Sequence, residues 1–178
     1  MTDDSQSIAA GRHLDLRARR GWEFARRRRG RGVVAIVAVT TERRVVLVEQ
    51  FRVPLGAPVI ELPAGLVGDE VGSAEESLFD AARRELLEET GYASDHWRGE
   101  TVRVTSSAGL TDEIVTIVGT GDAVRVGPGG GVDDERITVH AIPLDELVNW
   151  LDARAAEGVI ADGRVWAAPM LATRFGLA

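Results

Sequence analysis

A chain of 178 residues is long enough to bury a core of its own, and 44% hydrophobic with 28% charged residues is the composition of a soluble globular protein. The absence of cysteine excludes disulfides and thiolate metal sites, which leaves oxygen or imidazole to hold any metal. A net charge of −7 argues against sequence-independent nucleic-acid binding, so an anionic ligand needs local arginines, a bound cation or both.

In chain order, residues 1–10 are polar and acidic, unlike the basic-then-apolar layout of a signal peptide, and are expected to form a disordered tail. Residues 11–178 are expected to form a single domain, with 11–31 as its N-terminal strand region, where Trp22 and Phe24 alternate as on a strand. The run Arg26-Arg27-Arg28-Arg29-Gly30-Arg31 reads either as a solvated turn or as contacts to a phosphate-bearing small molecule. Val33–Thr40 and Val45–Gln50 are β-branched and read as a hairpin about the polar turn at 41–44. Phe51–Ala64, with Pro54, Pro58 and Pro63, reads as loop and short strand. Ser73–Thr90 is the clearest helix, with Ser73 and Glu76 in the form of a capping box and Gly91 as the C-terminal cap. Strands are expected at Val102–Val104, Ile114–Gly119 and Ile137–Ile142. Pro143 is expected to open a helix to about Glu157, and Ala167–Phe175 a short last one. No apolar run approaches the roughly 18 residues that span a membrane, so a cytoplasmic protein with no membrane partner is expected.

The helix before Gly91 carries the chemistry. At ~100° per residue, Leu78, Ala82, Leu86 and Phe79 form one apolar arc, and Glu89 falls within it at ~40° from Glu85. Glu85 sits at the edge of that arc and Glu88 on its flank. Inward carboxylates one turn apart repel each other and are costly to desolvate without a cation. Two readings stand: a solvated helix end with ordinary surface pairs, or a site for a hard divalent cation such as magnesium.

The stretch from Glu76 through Arg84-Glu85-Leu86-Leu87-Glu88-Glu89-Thr90-Gly91-Tyr92 resembles the Nudix box. Glu70 stands where that box has its first glycine, and the loop from Gly65 is about five residues longer than usual. The resemblance implies an α/β Nudix fold: a mixed β-sheet sandwiched between α-helices (α/β/α), here with an N-terminal β extension. It implies Mg²⁺ (or Mn²⁺) held by Glu85, Glu89, Glu88 and the Ala64 carbonyl, with Arg84 orienting the glutamates. Val46–Pro54 and Glu61–Leu66 are similar to the stretch before the box in ADP-ribose and GDP-mannose pyrophosphatases. That likeness implies substrate contacts from Arg52 and Arg27, a base-stacking Trp22 in a homodimer, and Glu113 at the distal sugar. For Arg52 a surface pair with Glu49 or Glu61 is the plainer reading, and for Trp22 a place in the core. The general base implied is Glu135, with Asp133 second, although Asp133-Asp134-Glu135 also reads as a solvated turn. Ala108 replaces a proline typical of ADP-ribose pyrophosphatases, whereas Gly129–Glu135 is more like the GDP-mannose type.

The implied reaction is Mg-dependent hydrolysis of the diphosphate bond of a nucleoside diphosphate sugar, giving a nucleoside monophosphate and a sugar phosphate. Two alternatives are a housecleaning hydrolase of nucleotide triphosphates or dinucleoside polyphosphates, and a non-catalytic ADP-ribose sensor. The retained Glu85, Glu88 and Glu89 speak against the sensor.

Overall fold

The computed structural model describes residues 3–68, 75–131 and 136–178. Three N-terminal strands, β1 (Gln6–Ala10), β2 (Leu14–Arg19) and β3 (Trp22–Arg27), form an antiparallel sheet in the order β1-β2-β3. The larger mixed sheet uses β4 (Val33–Thr40), β5 (Arg44–Arg52), β6 (Ala57–Glu61), β7 (Ala64–Leu66), β8 (Tyr92–Ala93), β9 (His96–Thr105), β10 (Ile114–Arg125), β11 (Ile137–Pro143) and β12 (Ile160–Ala161). Its helices are α1 (Leu78–Thr90), α2 (Leu147–Ala156), α3 (Gly163–Trp166) and α4 (Ala168–Arg174). Its path runs β12-β6-β5-β4-β10-β8, with β11 on β5, β7 on β4 and β9 on β10. The β4–β10 and β6–β12 pairs are parallel and the others antiparallel.

Strand β4 explains why the sheet is covered on both sides. Every residue from Val34 to Val39 is buried, so the strand reads as a continuous apolar run rather than an alternation. Its odd positions, Ala35, Val37 and Val39, join Leu47, Ile117, Leu147, Leu151, Leu171 and Phe175 in one core. Its even positions, Val34, Ile36 and Ala38, join Val46, Ala82 and Leu86 in the other. The two-residue period of a strand therefore feeds two cores, one under α1 and one under α2, α3 and α4. That is the α/β/α sandwich expected from the sequence.

Three local expectations change. Gln6–Ala10 pairs with β2 instead of trailing as a disordered tail. The Asp3 carboxylate explains part of this, because Arg17, Arg19 and Arg26 converge on it. Arg26 first, and Ser5 next, hold that carboxyl well below the usual range. Helix α1 starts at Leu78, with the Ser77 hydroxyl accepting the Asp80 N–H at 3.2 Å. The expected cap Ser73 lies outside the described residues, and Glu76, which precedes the helix, is bonded elsewhere. Pro143 ends β11 rather than opening a helix; its carbonyl accepts the Glu146 N–H, and α2 follows from Leu147. Among the described residues no helix is long and apolar enough to cross a membrane.

Glycine is required at one point where the sheet meets the C-terminus. A Cβ at Gly119 of β10 would lie 2.6 Å from Cδ2 and 2.9 Å from Cβ of Phe175, whose ring fills the place of a side chain. Gly119→Ala should cost about 1–3 kcal/mol by overpacking. In a Phe175→Ala background, where only the Cβ contact at 2.9 Å remains, that cost should fall, a coupling measurable by urea unfolding of the four variants.

Candidate active site

The C-terminal half of α1 faces β7, and between them the chain makes its closest functional contact. A Cβ at Gly65 would sit 1.8 Å from Oε1 and 2.4 Å from Oε2 of Glu85, so any other residue here would displace the carboxylate. One residue earlier, the Ala64 N–H donates to Oε2 of Glu89 at 3.0 Å. Glu89 is only 5% exposed, a burial that an ionised carboxylate accepts only with compensating donors or a cation.

Arg84 organises the acidic cluster from behind. Its Nε donates to Oε1 of Glu76 at 3.0 Å, and Nη1 donates to Glu85 at 2.9 Å and to Glu88 at 3.3 Å. Nη2 reaches the Leu66 carbonyl at 3.1 Å, tying the helix to β7. Glu76, expected as a helix cap, is thus an ion-pair partner, and it also accepts the Gly68 N–H at 2.9 Å. The guanidinium among these carboxylates is held protonated far above its usual range, chiefly by Glu76. Arg84 in turn holds the Glu76 carboxyl below the usual glutamate range against the opposing effect of burial, with help from Gly68.

A cleft of about 460 Å³ opens over this edge. Six of the residues singled out in the sequence line it: Ala64, Glu85, Glu89, Arg27, Arg52 and Glu113. Each cation there has a carboxylate partner: Arg27 donates to Glu113 at 2.9 and 2.8 Å, and Arg52 donates to Glu61 at 2.6 Å. The plainer reading of Arg52, a pair with Glu61, is therefore realised together with its place in the cleft. Glu49 is occupied on the far side of the sheet edge by Arg154 and His140.

Other expectations fall outside the cleft. Glu88 is half-buried beside it and bonded to Arg84. Trp22 is 70% exposed and borders a separate cavity of about 400 Å³ with Arg20, Phe24, Ala108 and Asp112, so it is not a core residue. Asp133 and Glu135 lie outside the described residues. The glycines before them have a visible task. The N–H groups of Gly130 and Gly131 donate to the carbonyls of Glu89 and Glu88 at 2.9 and 3.0 Å, capping the end of α1.

Arg164 was not legible in the sequence. It lines the cleft from α3, and its guanidinium donates twice to Asp162 at 2.7 Å. Burial works to raise the Asp162 carboxyl, but the Arg164 bonds outweigh it and leave the group below its usual range. The stretch Asp162-Gly163-Arg164 reads locally as an ordinary helix start, and only the parallel pairing of β12 with β6 brings it to the cleft.

Among the described residues no three acidic or histidine side chains stand as a ready-made metal cluster. Carboxylates of Glu85 and Glu89 nevertheless stand together at the edge of β7, Glu85 packed against the bare Cα of Gly65 and Glu89 accepting the Ala64 N–H, and their oxygens are available on one edge. Such a donor set fits a hard cation that keeps several waters.

Comparison with known proteins gives one family. The NUDIX domain model matches residues 28–162. The chain is 35% identical over 121 residues to the methanol dehydrogenase activator of Bacillus methanolicus, covering 67% of this chain and 62% of that protein. It is 34% identical over 124 residues to the ADP-ribose pyrophosphatase of Bacillus subtilis (strain 168), covering 69% and 64%. Against the ADP-sugar pyrophosphatase of Mus musculus it is 35% identical over 166 residues, covering 83% and 72%. The match thus spans less than two thirds of the first two relatives' own length. A crystal structure titled as an ADP compounds hydrolase superposes with a TM-score of 0.67 at 18% identity, covering 99% of this chain and 95% of that one, which establishes the shared fold.

The Arg84–Glu76 pair makes a stability prediction with a definite sign. A carboxyl depressed by folding contributes fully above its unfolded value, about 4.3, and loses that contribution as pH falls toward its lower folded value. Glu76→Gln should therefore be less stable than the parent at neutral pH, with the gap closing on acidification through that range. Urea unfolding from pH 7 to pH 3.5 reads it; a gap that widened in acid would contradict the pairing.

Proposed function

The chain belongs to the NUDIX domain family, and on that premise we propose that it hydrolyses the diphosphate bond of a nucleoside diphosphate sugar. The observation that carries this reading is the cleft in which Glu85 and Glu89 face Arg27, Arg52 and Arg164. Glu85 and Glu89 on one wall, and three guanidinium groups oriented by Glu61, Glu113 and Asp162 on the others, suit a diphosphate that arrives with its charge partly neutralised by a cation. Names of relatives support the substrate class: one is an ADP-ribose pyrophosphatase, another an ADP-sugar pyrophosphatase.

In this reading Glu85, Glu89, Glu88 and the Ala64 carbonyl hold Mg²⁺, with Mn²⁺ able to replace it. When bound, the cation neutralises diphosphate charge and lowers the pKa of a bound water. Arg84 fixes the carboxylates of Glu85 and Glu88 in place, so the donor edge is organised before substrate arrives. Arg52 and Arg27 bind diphosphate oxygens while keeping Glu61 and Glu113 as their second partners. Glu113 also faces the distal sugar. Glu135, with Asp133 second, takes the proton from the attacking water. Capping of α1 by Gly130 and Gly131 supports this choice, because it anchors the start of that acidic segment beside Glu88 and Glu89.

Trp22 lies five residues along β3 from Arg27, roughly 17 Å at the rise of a strand. Trp22 also borders a cavity separate from the cleft. In the proposed homodimer the stacking Trp22 therefore belongs to the cleft of the second copy.

Substrate is tested with a panel of ADP-ribose, GDP-mannose, UDP-glucose and diadenosine polyphosphates, read by product identity with and without Mg²⁺. The expected products are a nucleoside monophosphate and a sugar phosphate, formed only with the metal; turnover confined to the polyphosphates would favour the housecleaning alternative, and binding without turnover the sensor. Glu89→Gln should lower turnover at least about 100-fold and weaken Mn²⁺ binding, beyond the usual cost of losing an outer-shell partner. Glu135→Gln should lower turnover comparably but leave Mn²⁺ affinity unchanged, and near-normal turnover would transfer the base to Asp133 or Glu113.

A further inference from the structure

The arginine-rich turn after β3 encloses a second, smaller cavity of about 220 Å³ that shares a wall with the cleft. Arg27, Val33 and Glu113 line both. The remaining wall is Arg26, Arg29 and Arg31, with Asp112 and Ile114 opposite. Four guanidinium groups thus meet two carboxylates, an excess of positive charge in a chain whose net charge is −7.

How those charges are spent decides what the pocket can do. Arg26 is shared between Asp3 and Asp112, and Arg27 is committed to Glu113. Among the described residues Arg31 donates to a neutral acceptor, the Glu76 carbonyl, and forms no ion pair. Arg29 makes no hydrogen bond or ion pair among the described residues. The turn that carries them is fixed by its backbone: the Arg31 N–H donates to the Val67 carbonyl at 2.9 Å, and the Val67 N–H donates to the Gly32 carbonyl at 3.0 Å. Gly30, at φ +79°, lies over Leu66, where a Cβ would meet the side chain at 3.3 Å. Held in this way, the bases of Arg29 and Arg31 lose little further backbone freedom when a ligand binds.

We propose that this pocket binds one phosphate dianion, with Arg29 and Arg31 as its principal donors. The volume lies below the range of pockets that enclose whole nucleotides or drug-sized molecules, and it suits a single tetrahedral anion. The Arg29 fork and the remaining N–H groups of Arg31 supply the matching geometry. Two sources share this chemistry: a phosphate monoester on the distal sugar of the substrate, and free inorganic phosphate. The common wall with the cleft favours the first, and that choice of source rests on the hydrolase reading. The pocket itself does not.

Two measurements on the full chain test it. Calorimetric titration uses inorganic phosphate and ribose 5-phosphate as probes against the parent, Arg29→Ala, Arg29→Lys and Arg52→Ala. Loss of a charge-assisted donor should weaken both probes about tenfold in Arg29→Ala, with Arg29→Lys recovering part of the affinity and added salt weakening the parent. Unchanged phosphate affinity in Arg29→Ala, or affinity that depends on Arg52 alone, overturns the proposal. The second measurement compares kcat/KM for a nucleoside diphosphate ribose with and without a phosphate monoester on its distal ribose. If the substrate is the source, the parent prefers the phosphorylated compound. Arg29→Ala then loses that preference about tenfold through KM, while hydrolysis of the plain compound is unchanged. Phosphate binding that needs Arg29 without any such preference supports the pocket with free phosphate as its ligand. Absence of turnover with either compound defeats the hydrolase reading alone, because the titration still decides the pocket.

Discussion

On the guanidinium of Arg84 converge the carboxylates of Glu76, Glu85 and Glu88 and the carbonyl of Leu66. Without it, α1 would present a row of like charges to the edge of a sheet, at the end of the helix where the backbone dipole also disfavours them. With it, the same charges become a fixed donor edge. Arg84 is one-fifth exposed or less and bonded on every nitrogen, so its guanidinium plane is fixed by its neighbours. The arginine also reaches across to β7, which makes the position of Gly65 against Glu85 a property of the same contact.

Electrostatics on the opposite wall follow a different rule. Arg27, Arg52 and Arg164 each enter the cleft already paired, to Glu113, Glu61 and Asp162. Pairing orients the guanidinium planes and limits the cost of holding three cations together, yet each retains free N–H donors on its outer edge. An acidic chain can in this way offer oriented guanidinium donors inside a cleft that carboxylates also line.

Much of the architecture was legible in the sequence because it is written in local periodicity. The hairpin of β4 and β5 follows from two β-branched runs around a polar turn, and the buried stripe of α1 follows from Leu78, Ala82 and Leu86 at helical spacing. The inward face of Glu89 was read the same way. What was missed depends on partners distant in the chain. Gln6–Ala10 has no pattern of its own and is ordered by β2 and by the arginines that meet Asp3. Arg164 reaches the cleft only through β12 on β6, a two-residue parallel contact with no sequence signature. Helix α1 starts after Ser77, and Glu76, expected in a helix cap, pairs with Arg84 instead, a choice of partner that spacing cannot rank.

The glycine contact at the end of α1 reaches beyond geometry. A Cβ on Gly91 would stand 2.2 Å from the Gly127 carbonyl oxygen, and one on Gly129 would stand 2.3 Å from the Thr90 carbonyl carbon. Two backbones that close cannot drift apart or exchange residues independently, so helix and loop must vary as one unit in descent. Substitutions that retune what the chain accepts meet less of this constraint in the turn of Arg28–Gly32 and the loop at 106–113.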